Sequence, residues 1–253
     1  MAKIYTPESA LVIAAHPDDI EYGCTGTLAR WSKTGTRVSY VLCTSGEAGI
    51  ARPGITLEEA ARIREEEARE AAAIADVDEI VFLRYPDGML QATMDLRRKL
   101  VREIRRFRPE VVLCFDPTVV WANEGYINHP DHRAAGLAAV DAAFPAAGQP
   151  LLYPEMANEG ILPHKPRKVY VISWSGPDHF ICIDETIDIK IAALNAHKSQ
   201  MIDHDPEKVL REWASDAAKG KEMDYAEAFR VVTLLDEETW LKVKDIDYWK
   251  DLV

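Results

Sequence analysis

The stretch Leu11-Val12-Ile13-Ala14-Ala15-His16-Pro17-Asp18-Asp19 limits the fold of this chain more than any other. Five aliphatic residues with no polar break read as a strand buried on both faces, the kind enclosed in a parallel sheet. Pro17 biases His16 towards extended backbone and cannot continue a ladder, so the strand ends there. Residues 20–32 then carry helical spacing, closed by Gly35. The polar cluster falls in a strand-to-helix turn at the carboxyl end of a sheet strand, where open α/β sheets bind ligands.

The same alternation continues. Strands are predicted over 37–43, 79–83 and 111–115, with helices over 57–75, 94–106 and 130–144 between and after them. A glycine-rich loop runs from Thr44 through Gly54, Tyr85-Pro86-Asp87-Gly88 is a turn signal, and 118–128 reads as a long polar loop. Pro130 suits the first turn of its helix, where a missing N–H costs nothing. Later strands are expected over 168–173 and 180–184, a helix over 186–201, then a helix and a short strand (229–233) before the tail. This rhythm predicts an α/β fold: a three-layer α/β/α sandwich with a Rossmann-like, mostly parallel sheet and the active site at the strand C-terminal ends. The length of 253 residues suits one domain.

A formal net charge of −12 argues against nucleic acid or an anionic membrane as main partner. Cys24, Cys43, Cys114 and Cys182 form no CxxC, and three sit in apolar strand-like contexts, which predicts reduced thiols and a cytoplasmic protein. No signal pattern and no apolar run of membrane-spanning length is present. The GxGxxG fingerprint of a nucleotide-binding Rossmann protein is missing, which counts against that reading.

Catalytic zinc takes three protein ligands and leaves a position for water. His16 and Asp19 supply two, and the third is expected from another strand end. The candidate is His129-Pro130-Asp131-His132, which repeats the His-Pro-Asp order, follows the loop of the fourth strand and opens a helix. Loops after the first and fourth strands can face each other across the switch point of such a sheet. Alone, either motif reads equally well as structural, since an Asp near a helix start is usually a cap. Crowded on one rim, six such side chains need compensation that a metal supplies.

Taken together, these two motifs resemble the PIG-L/LmbE-like family of zinc-dependent de-N-acetylases. Further matches are Thr44-Ser45-Gly46-Glu47-Ala48-Gly49, Arg64 with Glu67, Pro86-Asp87-Gly88 and His197-Lys198-Ser199-Gln200. Asp76 and Ser45 depart from residues usual in that family, and neither is a presumed ligand. The resemblance covers about residues 9–202. It implies a core over about 1–202 with a variable segment over 203–253, and a homo-oligomer, trimer or hexamer. It implies His16, Asp19 and His132 as Zn2+ ligands and Asp18 as general base. His129 would stabilise the oxyanion, in protonated form, with Asp131 orienting it or its neighbour. The substrate implied is a small N-acetylglucosamine-type conjugate that loses its acetyl group.

Several residues carry two readings. Arg64 either touches substrate hydroxyls or forms a surface ion pair with Glu67. Asp87 either binds sugar or shapes its turn. His197 either reaches the site edge or serves as a cap or interface residue. Trp121 and Tyr126 either stack on a sugar or pack their loop. His164, His179 and His204 have no ligand spacing. An amidase for a non-sugar or secondary-metabolite amide uses the same centre, and an idle sugar-binding relative keeps only the fold. Metal analysis with an acetate-release assay separates the idle relative from an enzyme.

Overall fold

The computed structural model describes residues 5–173, 176–202 and 205–244; His204 lies outside them. Strand β1 (Ser9–Ala14) is followed by helices α1 (Asp19–Gly23) and α2 (Thr25–Ser32), β2 (Arg37–Thr44), α3 (Leu57–Ile74), β3 (Glu79–Tyr85), α4 (Met94–Phe107) and β4 (Val111–Phe115). A hairpin of β5 (Trp121–Asn123) and β6 (Tyr126–Ile127) precedes α5 (Pro130–Ala143). The rest comprises β7 (Lys168–Ile172), β8 (His179–Cys182), α6 (Ile187–Asn195), α7 (Pro206–Ala218), β9 (Ala226–Thr233) and α8 (Glu237–Val243).

The central sheet has the order β3-β2-β1-β4-β7-β9-β8. Pairs from β3 through β7 are parallel, whereas β9 runs antiparallel to both β7 and β8. The chain leaves β1 for β2 and β3 on one side, then crosses to β4 on the other. That reversal opens a crevice between the carboxyl ends of β1 and β4.

Strand β1 shows why its sequence has no polar break. Leu11 and Ile13 pack with Leu96, Leu100, Ile104, Ala135 and Ala138 of α4 and α5. Ala10, Val12 and Ala14 pack on the other face with Leu28, Trp31, Ala68 and Ala72 of α2 and α3. Alternate side chains enter two separate cores, so both parities must be apolar.

The structure departs from the expected elements in several places: the helix expected over 186–201 ends at Asn195, and the strand expected over 229–233 begins at Ala226. The single helix expected over 20–32 breaks at Cys24 (φ −151°, ψ 7°). There the Glu227 carboxylate of β9 accepts the N–H groups of Gly26 at 3.0 Å and Thr27 at 2.7 Å, capping α2 from a strand two hundred residues away. The loop expected over 118–128 holds the β5–β6 hairpin. Strand β3 runs on to Tyr85 past Arg84, whose φ of 55° marks an irregular register against β2 and lets it reach the Glu65 carboxylate at 2.7 Å. Among the described residues no helix is long and apolar enough to cross a membrane.

His164 is buried, and its Nε2 donates to the Pro109 carbonyl at 2.7 Å. Burial holds its pKa down at about 4, with the Arg108 charge adding to that and the carbonyl opposing it. The folded value lies below the unfolded value of about 6.5, so the neutral ring stabilises the fold fully above pH 6.5. That contribution is lost as pH falls through 4. Urea unfolding at pH 7.5 and 4.5 should show a drop in the parent chain larger than in His164→Gln by about 2–3 kcal/mol.

Candidate active site

The turn after β1 and the first turn of α5 meet over the crevice. Asp19 opens α1, and its Oδ2 accepts the backbone N–H of Ala15 at 3.1 Å and His16 at 2.8 Å. With Oδ2 so engaged, Oδ1 faces His132 Nε2 at 3.0 Å. His16 Nδ1 lies 3.5 Å from Asp19 Oδ2. Burial opposes the charge on Asp19, but the His132 and His16 rings hold its pKa well below the carboxylate range.

Each imidazole has its other nitrogen fixed from behind. His16 Nε2 points at Asp87 Oδ1 (3.0 Å) and Asp131 Oδ2 (3.4 Å). Asp131 is fully buried and accepts the N–H of Gly88 at 2.8 Å and Leu90 at 3.2 Å; Asp87 accepts that of Ala48 at 2.9 Å. His132 Nδ1 donates to Asn128 Oδ1 at 3.2 Å, and its ring stacks on Phe115 with centroids 4.9 Å apart. This is how metal-binding imidazoles are held: one N–H tied to an acceptor, the other lone pair aimed at the ion. Burial lowers the pKa of His16, but Asp19, Asp131 and Asp87 outweigh it and push it up to about 12.

Two overlapping groups of donors are close enough to share an ion: His16, His129 and His132, and His16, Asp87 and Asp131, each with ligand atoms within 4.8 Å. The carboxylates of the second group already take backbone N–H bonds, so they orient His16. A tetrahedral zinc with 2.0–2.1 Å bonds sets its ligands about 3.4 Å apart. His132 Nε2 and His16 Nδ1 each stand that near to Asp19, at 3.0 Å from Oδ1 and 3.5 Å from Oδ2. The carboxylates of Asp18, Asp19, Asp87 and Asp131 around this cavity also call for cationic compensation. The residues present fit a divalent ion.

His129 differs from its neighbours. Its Nδ1 accepts the backbone N–H of Asp131 at 3.2 Å, which leaves the proton of the neutral ring on Nε2. Burial, followed by the His16 and His132 charges, holds its pKa below the ordinary value. With Nδ1 so engaged, Nε2 is the ring's donor. Asp131 reaches His129 through its backbone alone; its carboxylate serves His16.

Asp18 sits between Pro17 and Asp19 with φ 91°, in the left-handed region. Arg64 holds it there. The guanidinium is 3% exposed, hydrogen-bonds the Pro17 carbonyl and lies 3.2 Å from Asp18 Oδ2. Burial pushes the Asp18 pKa up, Arg64 pulls it down and the Asp19 carboxylate adds to the rise, leaving it at about 6. Gly46 and Gly49 of the glycine-rich loop make room for this guanidinium: a Cβ would meet Arg64 atoms at 2.9 and 2.6 Å. The surface pair of Arg64 with Glu67 does not form. Glu67 instead accepts from Ser199 N (2.8 Å) and Oγ (2.6 Å), anchoring the 197–200 segment.

His197, expected as a cap or interface residue, is fully buried with Nε2 3.3 Å from Glu21 Oε2. Asp87, expected chiefly as a turn former, orients His16. Asn128 went unremarked, although its i, i+4 spacing to His132 across the helix start would have marked it. His164 and His179 stand away from the site: His179 packs edge-on against Tyr170.

His16, Asp18, Asp19, Asp87, His129 and His132 line a cavity of about 550 Å3 that also takes in Tyr22, Tyr126, Gln200, Val209 and Trp213. Tyr126 thus faces the cavity, while Trp121 is exposed. Helix α7 forms the wall opposite the histidines.

Residues 11–143 match the family model for PIG-L, the GlcNAc-PI de-N-acetylases. The chain is 33% identical over 206 residues to a diacetylchitobiose deacetylase of Thermococcus kodakarensis, covering 81% of this chain and 73% of that one. It is 31% identical over 199 residues to a probable N-acetyl-α-D-glucosaminyl L-malate deacetylase 2 of Bacillus anthracis, covering 75% and 80%. The structure superposes on an N,N′-diacetylchitobiose deacetylase from Pyrococcus horikoshii bound to an inhibitor, with TM-score 0.83 and 27% identity, covering 98% of this chain and 89% of that one. The chain belongs to the PIG-L family, whose deacetylases are metal-dependent.

Titration with zinc against a chromophoric chelator should give one ion per chain. His132→Ala is expected to weaken binding at least ~100-fold, and Asp87→Asn about 10- to 100-fold. Gly49→Ala should lower stability by about 1–3 kcal/mol in thermal or urea unfolding, because its methyl displaces Arg64.

Proposed function

We propose that this member of the PIG-L family is a zinc-dependent hydrolase that removes the acetyl group from an N-acetylglucosamine-type conjugate. The observation that supports the reading is the convergence of His132 Nε2 and His16 Nδ1 on the two oxygens of Asp19, at 3.0 and 3.5 Å, beside the Asp18 carboxylate that Arg64 holds. His16, Asp19 and His132 would hold the ion. When bound, it supplies the positive charge that polarises an acyl oxygen and acidifies a water.

The chain's own groups do the rest. Asp18 lines the cavity and takes the proton from the attacking water. The carbonyl carbon gains the new C–O bond, and negative charge gathers on the acyl oxygen. His129 donates its Nε2–H to that oxygen from a prealigned position. Asp131 fixes the orientation twice, through its N–H on His129 and its carboxylate on His16. The C–N bond then breaks, Asp18 returns the proton to the nitrogen, and acetate and a free amine leave. Arg64 holds Asp18 in place for both transfers.

An idle relative has no use for a carboxylate held at φ 91° by a buried guanidinium. Family resemblance adds a homo-oligomer, trimer or hexamer, to the same reading, and the apolar contexts of the cysteines add a cytoplasmic setting; sedimentation equilibrium measures the oligomer.

Asp18→Asn should retain one zinc per chain while kcat for acetate release falls by about 10²–10⁴. A rate within threefold of the parent would remove Asp18 from the base role.

A further inference from the structure

A ring of contacts starts and ends at Asp18. Arg64 hydrogen-bonds the Pro17 carbonyl and lies 3.2 Å from Asp18 Oδ2. One turn along α3, Glu67 accepts from Ser199 N at 2.8 Å and from its Oγ at 2.6 Å. Two residues before Ser199, His197 Nε2 stands 3.3 Å from Glu21 Oε2. Glu21 lies three residues after Asp18 in α1, whose first turn closes with the Tyr22 N–H on the Asp18 carbonyl at 3.1 Å. Glu21 is 3% exposed and His197 fully buried. Apolar side chains of the same volume often serve stability as well as such a pair. An acid at the third position of a helix commonly reaches back to the N-terminal backbone. Glu21 turns the other way, to His197, and the Asp18 side chain makes no capping bond of its own. Asp18 is thus free to face the cavity while its helix is held from the 197–200 turn. Burial lowers the His197 pKa, but Glu21 and Asp18 raise it above the ordinary value against the opposing Arg64 charge.

We propose that Glu21 and His197 are a positioning pair for Asp18. They fix α1 to the 197–200 turn, Glu67 fixes that turn to α3, and the closed ring sets the approach of Arg64 to Asp18. The proposal rests on the reading of Asp18 as the base of a deacetylase. The metal-binding atoms are held separately. Asp19 takes the N–H groups of Ala15 and His16, His132 is tied to Asn128, and His16 is backed by Asp87 and Asp131. None of these supporting groups belongs to the ring. Opening the ring therefore displaces the base and leaves the ion's ligands in place.

The test opens the ring at two links in the full zinc-loaded chain. His197→Leu should lower kcat for acetate release from N,N′-diacetylchitobiose by about 10- to 100-fold, the scale set by misplacing a reacting group. KM should stay within about threefold, with one zinc per chain retained. His197→Gln keeps an N–H near the place of Nε2 and should recover most of the loss. Glu67→Ala opens the ring at its far link and should show the same split; it serves if His197→Leu fails to fold. The double variant should be slower than the slower single variant by no more than about twofold, because one ring is opened only once. A merely structural role would lower the unfolding midpoint and leave kcat per folded chain unchanged. A kcat within about twofold of the parent in the folded single variants, or losses that multiply in the double variant, overturns the proposal. The carbon-13 carboxyl signal of Asp18, assigned by its absence from Asp18→Asn, separates this outcome from failure of the deacetylase reading. A signal displaced in His197→Leu or Glu67→Ala and restored in His197→Gln supports the ring even if the parent hydrolyses no amino sugar; a signal unmoved in both refutes it.

Discussion

A single carboxylate couples the two halves of the site. Asp19 Oδ2 is engaged by the last N–H groups of the β1 end, and Oδ1 faces His132 at the start of α5. The two segments are over a hundred residues apart, and the β1–β4 reversal in strand order brings them together. Hydrogen bonds to charged groups are among the stronger ones available to a fold, and a buried carboxylate left unpaired is costly. The sheet thus sets where Asp19 stands, and Asp19 sets where both imidazoles point. Asp87 and Asp131 then complete the arrangement from behind.

Much of this was legible from local pattern. The unbroken apolar run of β1 required two cores, and two cores required helices on both faces. Strand-end placement of the His-Pro-Asp motifs followed from Pro17 and Pro130. What pattern could not carry was long-range pairing. The break at Cys24 comes from Glu227, which no window around Cys24 contains. Arg64 looked like half of an i, i+3 surface pair because helix spacing says nothing about a loop folding over it; Gly46 and Gly49 permit that cover. At His129 the backbone N–H two residues on occupies Nδ1, which leaves Nε2 as the ring's donor.

The residues after 202 build more of the molecule than their lack of motifs suggests. Strand β9 enters the central sheet between β7 and β8, and its Glu227 caps α2 while pairing with the buried Lys190 at 2.5 Å. Helix α7, which packs beside it, supplies the cavity wall that faces the histidines. Side chains that hold the metal-binding geometry and side chains that shape the space above it thus come from different parts of the chain. Changes in one need not disturb the other.

The backbone at Asp18 carries a consequence for anyone selecting variants of this protein. A non-glycine residue at φ 91° is held at a cost on the order of 1 kcal/mol or more, and glycine would relax it. Glycine there would also strip the buried Arg64 guanidinium of its carboxylate partner, so relief of the backbone and loss of the ion pair pull stability in opposite directions. A heat-challenge screen that scores only soluble protein reads the balance of these two terms and nothing else, so any directed-evolution campaign on this scaffold must read out turnover alongside folding.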